Sequence, residues 1–241
     1  MNDIVIPSRA LGEVMLPDFC PRCYWLKLHC DRKLPFESPF PGIFNSIDAY
    51  GKKVVHYYFE NHQSLPPWFP DIGQVKAYVA KLHHSSFRYR DQAYSIVVSG
   101  TPDDMFQMED GSYHIVDYKT AKATSKQDQL FPMYDAQLNI YAYIANRIGF
   151  SPVSAITLIY TEPITDIKQP NVEEYMGQEE FWMNFKATPF SVQLRPDELV
   201  PEILKKVRTI VNMIEPPEGH PDCKDCERFE RVFKLMAPHT S

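Results

Sequence analysis

The sequence predicts a single α/β domain in which a mixed sheet is flanked by helices, and three observations carry that prediction. Residues 94–119 are rich in β-branched and aromatic side chains, and Glu109-Asp110-Gly111-Ser112 in their middle is hairpin chemistry. Residues 153–160, Val-Ser-Ala-Ile-Thr-Leu-Ile-Tyr, form a nearly continuous apolar run, as a strand buried on both faces requires. Around these segments lie stretches with helical apolar spacing, so the order reads helix, hairpin, helix, strand.

Taken in chain order, residues 20–34 open on Cys20-Pro-Arg-Cys23 and continue as the aromatic stretch Tyr24, Trp25, Leu26, Leu28, which reads as a short helix. From Ile47 to Asn61 the residues Ile47, Tyr50, Val54, Val55, Tyr58 and Phe59 recur at helical spacing. Pro66-Pro67-Trp68-Phe69-Pro70 ends that helix, and Ile72 to His83 reads as a second one. Two strands meet across the turn at Asp110-Gly111. Asp135 to Ile148 is an apolar helix with Gly149 placed to stop it. After the buried strand, a further strand is expected near Phe190 to Leu194 and an amphipathic helix from Pro196 to Ile214.

The chain has 241 residues, 44% hydrophobic and 23% charged, enough to bury a core within one domain spanning 1–241. A basic leader and an apolar run of membrane-spanning length are both missing, so a cytoplasmic protein without a membrane partner is expected. Five cysteines in such a chain read as metal ligands or buried thiols, not as a disulfide framework. The net charge of -6 argues mildly against bulk nucleic-acid binding, although Lys119, Lys122, Lys126 and Arg147 can form a local basic groove. Twenty-one prolines against nine glycines indicate stiff connections. There is no internal repeat.

The segments with most chemistry are Gly100-Thr-Pro-Asp103-Asp104 and Ile115-Val-Asp117-Tyr-Lys119. Alternation along a strand projects Asp117 and Lys119 to one face and Val116 and Tyr118 to the other. The hairpin partner brings Asp103 or Asp104 beside them. Two adjacent carboxylates repel, and an oxygen-rich pair of this kind is relieved by a divalent cation such as Mg²⁺. A cation can polarise a scissile phosphate, and a lysine can position the attacking water and stabilise developing negative charge. The competing interpretation of these three residues alone is a solvated ion pair on a sheet face.

The pattern Gly-x-x-Asp, sixteen residues from that Asp to the Lys of an apolar-apolar-Asp-x-Lys strand, then Gln-x-x-x-Tyr on the next helix, resembles the RecB-type branch of the PD-(D/E)XK nuclease superfamily. Gly100, Asp103, Asp117, Lys119, Gln137 and Tyr141 carry the resemblance. It implies a restriction-endonuclease-like core with residues 94–160 as its catalytic part, Asp103 and Asp117 as ligands of Mg²⁺ or Mn²⁺, and Lys119 as the catalytic lysine. Gln137 and Tyr141, four apart and so on one helical face, would line the site toward DNA. A two-residue turn at Asp110-Gly111 instead sets Asp104 across from Asp117, and a bulge near Pro102 would reconcile the two. The resembling family also takes a metal-binding histidine from an upstream helix, which points to His56, although Gly51-Lys-Lys-Val-Val-His56 is one residue longer than the family spacing. A partly buried, structurally bonded histidine is the other reading of His56.

Cys20-x-x-Cys23 and Cys223-x-x-Cys226 are two halves of a four-thiolate site, so residues 20–30 and 223–226 are expected to form a metal staple joining the chain ends. CRISPR-associated RecB-like exonucleases, which the chain is similar to, carry a [4Fe-4S] cluster on one N-terminal and three C-terminal cysteines. The resemblance therefore implies a cluster here, while the two-plus-two arrangement suits structural Zn²⁺ equally. Cys30 is left without a role. The function expected is metal-dependent hydrolysis of DNA, single-stranded or at duplex ends, in company with recombination or CRISPR-adaptation proteins. The rival is a catalytically silent nuclease-like module, stapled by zinc, that binds DNA or protein.

Overall fold

The structure, a computed structural model, describes residues 3–30, 41–80, 82–83, 85–122, 129–166 and 171–236. Along the chain run β1 (Ile4–Pro7), α1 (Ser8–Gly12), α2 (Pro21–His29), α3 (Gly42–His62), β2 (Val75–Tyr78), β3 (Arg88–Asp91), β4 (Ile96–Ser99), β5 (Asp104–Met108) and β6 (Tyr113–Lys119). They are followed by α4 (Phe131–Arg147), β7 (Val153–Pro163), β8 (Phe185–Val192), α5 (Pro196–Val211) and α6 (Lys224–Met236). Five strands pair in the order β2-β5-β6-β7-β8, and β1-β4-β3 form a smaller sheet. Only β6 and β7 run parallel in the larger sheet, with α4 as the crossover that a parallel pair requires. The expected mixed sheet flanked by helices is what the chain forms.

One face of the sheet, with Met105, Ile115, Ile156 and Leu158, packs on α4 and α5. The other face, with Phe106, Met108, Val116 and Ile159, packs with Val55 of α3 and with Phe69. Helix α4 is the centre of the first core. Ala136, Leu138, Ile140, Ala142, Ile144 and Ala145 have no exposed surface, and helices α1 and α5 cover what the sheet does not. The polar residues buried in this helix are satisfied internally: the Asn139 side-chain amide donates to Asp135 and to the Gln193 carbonyl.

Several sequence expectations need correction. The described residues of the helix expected over 72–83 contain no helix, and Val75–Tyr78 among them form the edge strand β2, whose Val75, Ala77 and Tyr78 pair antiparallel with β5. Short apolar runs suit either state, and pairing with a neighbouring strand decides. The aromatic helix after Cys20 spans Pro21–His29, and residues 31–34 lie outside the described residues. Helix α3 begins at Gly42, five residues before Ile47, and stops where Gln63 takes a left-handed conformation (φ 52°). Helix α6 and the β1-β4-β3 sheet were not anticipated. Among the described residues no helix is long and apolar enough to cross a membrane.

The hairpin register also differs from the simple expectation. The connection has three residues, Glu109-Asp110-Gly111: the Gly111 N–H donates to the Met108 carbonyl (3.0 Å), and the Met108 N–H donates to the Ser112 carbonyl (2.8 Å). Gly111 closes it at φ 84°, a conformation that favours glycine. Asp104 therefore pairs with Val116, one position away from a two-residue-turn register. A one-residue shift exchanges the faces. It sets Asp103 beside Asp117 without any bulge at Pro102.

His114 on β6 is buried, with Nε2 2.8 Å from the Thr157 hydroxyl, and burial pushes its pKa down to about 4. Between pH 6.5 and 4 the unfolded chain binds a proton that the folded one refuses, so stability is lost as pH falls through that window. The loss amounts to roughly 3 kcal/mol. Urea titrations of wild type and His114→Gln at pH 7 and pH 4.5 are expected to show a smaller acid loss in the variant; equal losses would show that His114 is not the group responsible.

Candidate active site

Helices α1, α3 and α4 and the segment entering β5 converge on the end of β6. Helix α3 presents Asp48, Lys52 and His56 at successive four-residue steps, hence on one face. The segment entering β5 brings Asp103 and Asp104, and β6 brings Asp117 and Lys119. Helix α4 supplies Gln137 and Tyr141, and Arg9 of α1 lines the same cleft of about 400 Å³. Gly100 allows this closeness, because a Cβ there would lie 2.5 Å from Ser8 Oγ and 2.8 Å from Tyr141 Cε1. Any larger residue would push α1 or Tyr141 away.

Asp103 is anchored on both oxygens. Oδ2 accepts the Tyr118 N–H at 2.9 Å, and Oδ1 accepts from Lys52 Nζ at 2.6 Å. Lys52 also reaches Asp48 at 2.6 Å, so one ammonium bridges two carboxylates. Asp117 is 3% exposed, and burial followed by the Asp103 charge pushes its pKa up to about 7, against the pull of Lys119 and Lys52. Lys119 forms an ion pair with Asp117 Oδ2, yet that buried oxygen accepts no well-directed hydrogen bond. Lys119 Nζ also approaches Gln137 Oε1 at 3.4 Å and lies over the Tyr134 ring. The Gln137 side-chain amide donates to the Tyr141 hydroxyl at 2.7 Å, which fixes the direction of its oxygen.

The structure thus brings Asp103, Asp117, Lys119, Gln137 and Tyr141 together, and leaves His56 and Asp104 out. The β5 register turns Asp104 to the opposite face, where Oδ1 pairs with His56 Nε2 at 2.6 Å and Oδ2 accepts from the Tyr118 hydroxyl at 2.8 Å. His56 stacks on Tyr78, and its pKa is raised chiefly by the Asp104 hydrogen bond. The extra residue after Gly51 rotates the histidine by one helical position, and Val55 at the shorter spacing is wholly buried. Lys52 takes the place beside Asp103 that the sequence reading gave to His56. Its signal was legible only as the Asp48, Lys52, His56 spacing. Arg147 is not part of a basic groove, because it pairs with Asp197 and stacks on Tyr143 at the far end of α4. Lys122 pairs with Glu162, and Lys126 lies outside the described residues.

Two carboxylates, one of them buried with an oxygen short of donors, suit a hard divalent cation, which takes few protein ligands and completes its shell with water and phosphate oxygens. Among the described residues, however, only Cys20, Cys23, Cys223 and Cys226 gather three or more metal-ligand atoms within 4.8 Å. Cys20 lies at the start of α2 and Cys23 within it; Cys223 precedes α6 and Cys226 lies within it. The Cys20–Cys226, Cys23–Cys223 and Cys23–Cys226 sulfur separations are each 3.5 Å. Burial opposes ionisation of Cys20, but the N–H groups of Cys23 and His220 outweigh it and bring the thiol down to about 7. Cys30 is exposed and outside the group.

A family model described as the PD-(D/E)XK nuclease superfamily matches residues 54–230. No curated protein matches the sequence. Among solved structures, the chain is similar to the crystal structure of SSO0001, at 12% identity and TM-score 0.41, covering 99% of this chain and 87% of that one. It is likewise similar to LHK-Exo in complex with dAMP, at 12% identity and TM-score 0.42, covering 96% and 94%.

Proposed function

This chain belongs to the PD-(D/E)XK nuclease superfamily, and from that premise we propose that it hydrolyses DNA phosphodiesters with Mg²⁺ or Mn²⁺ held by Asp103 and Asp117. The observation that carries this reading is the meeting of Asp103, buried Asp117 and Lys119 in one cleft, on a register that turns Asp104 away. A divalent cation bound there supplies positive charge to the scissile phosphate and its developing oxyanion. Lys119, paired with Asp117 in the cleft, would orient the attacking water and stabilise the negative charge that develops on the phosphate. Gln137 donates through its amide to Tyr141 and accepts from Lys119 through Oε1, and so keeps the lysine in place. Arg9, exposed at the rim, adds a cation for a neighbouring phosphate.

The RecB-type motif set supports DNA as the substrate, taken as a single strand or at a duplex end and degraded exonucleolytically. Association with recombination or CRISPR-adaptation proteins rests on the same resemblance. One observation favours the rival reading of a silent module: Lys52 occupies Oδ1 of Asp103 and must yield that oxygen to a metal.

Incubation of the purified protein with end-labelled single- and double-stranded DNA separates the two. Cleavage is expected with Mn²⁺ or Mg²⁺ and not with Ca²⁺, which avoids chelators that would also strip the cysteine site. Manganese titration is expected to find a site in wild type that is missing in Asp103→Ala. If wild type neither cleaves nor binds Mn²⁺, the silent module stands.

A further inference from the structure

We propose that Cys20, Cys23, Cys223 and Cys226 hold one tetrahedral zinc-class ion, and not the four-iron cluster that resemblance to the cluster-bearing exonucleases implies. The spacing of the sulfurs decides between them. A single ion about 2.3 Å from each of four thiolates sets the sulfurs about 3.8 Å apart. Here three of the separations are 3.5 Å and all four sulfurs lie within 4.8 Å of one another. A [4Fe-4S] cluster binds each cysteine to a different iron at alternate corners of a cube, so its four thiolates stand outside that cube. Sulfurs gathered this tightly leave no volume for four irons and four sulfides between them.

The surrounding backbone resists the expansion a cluster would need. Gly219 presses on the sulfurs so closely that a Cβ there would lie 2.8 Å from Cys226 Sγ and 3.6 Å from Cys20 Sγ. The His220 N–H donates to Cys20 Sγ at 3.3 Å, and the Arg22 guanidinium ties the Pro217 carbonyl at 3.1 Å, so the segment 217–220 is closed over the thiolates from both sides. The donor set is also symmetric: two Cys-x-x-Cys turns, one from each chain end, each present two sulfurs to one point. Four thiolates and no oxygen or nitrogen ligand select a soft-tolerant tetrahedral ion, and a closed set of four leaves no position for substrate. The ion is therefore structural and takes no part in electron transfer.

Anaerobic purification from cells supplied with both iron and zinc, followed by metal and acid-labile sulfide analysis, tests this on the intact protein. About one zinc per chain with a colourless solution is expected, and Co²⁺ exchanged into the site should give the intense visible bands of tetrahedral cobalt thiolate. Cys30→Ser should keep the full metal content. Brown protein with close to four irons and four sulfides per chain would overturn the proposal, as would metal-free protein whose four thiols all react with a thiol reagent before denaturation. Neither readout depends on nuclease activity, so failure here leaves the catalytic reading standing and the reverse also holds.

Discussion

Lys119→Met and Asp117→Ala are each expected to lower the rate of Mn²⁺-dependent DNA cleavage by on the order of 10²–10³-fold or more, the usual cost of removing one preorganised charge from a transition state. The two variants fail differently. Asp117→Ala deletes a carboxylate that burial and the Asp103 charge hold at an unfavourable, raised pKa, so it should abolish the Mn²⁺ site while leaving the melting temperature unchanged or higher. Lys119→Met removes the cation that meets Asp117 Oδ2, so Mn²⁺ binding should survive while turnover is lost. Cleavage kinetics, manganese titration and a thermal melt on each protein check this. Near-wild-type turnover in Lys119→Met would remove the lysine from the chemistry.

Stripping the ion from the four cysteines is expected to lower the melting temperature by roughly 10–20 °C. Closing a loop of this size restricts the unfolded chain by about 5 kcal/mol, and a domain of this length loses about 2–4 °C per kcal/mol. Helix α6 depends most on the staple, because Cys226 is its only buried residue among those described, while Phe233, Leu235 and Met236 are exposed. Scanning calorimetry after treatment with a zinc chelator, and trypsin digestion at Lys224, Arg228 and Arg231, measure the effect. Unaltered melting and digestion after verified metal loss would show that the chain ends are held by other contacts.

Much of this was legible in the residues because it rests on local pattern. The apolar runs of β7 and α4, the periodicity of α5, and the charged alternation of Asp117 and Lys119 are written in the local sequence alone. The choice between Asp103 and Asp104 was not, because it turns on one residue of loop length, and Glu109-Asp110-Gly111 serves a two-residue or a three-residue hairpin equally well until the strands are paired. β2 escaped for a similar reason: Val75 to Tyr78 becomes a strand only by hydrogen bonding to β5. Lys52 and His56 show a third limit. Helical spacing puts them on one face, but the rotation of α3 against the sheet assigns one to Asp103 and the other to Asp104, and that rotation is set by burial of Val55 and Phe59.

Helix α4 forms the wall of the cleft and the middle of the interior at once. Its backbone amides between Ala136 and Ala145 should therefore exchange with deuterium solvent only when the whole molecule opens. Across the cleft, α3 has only Val55 and Phe59 buried among its described residues, so its amides should exchange sooner, by local opening.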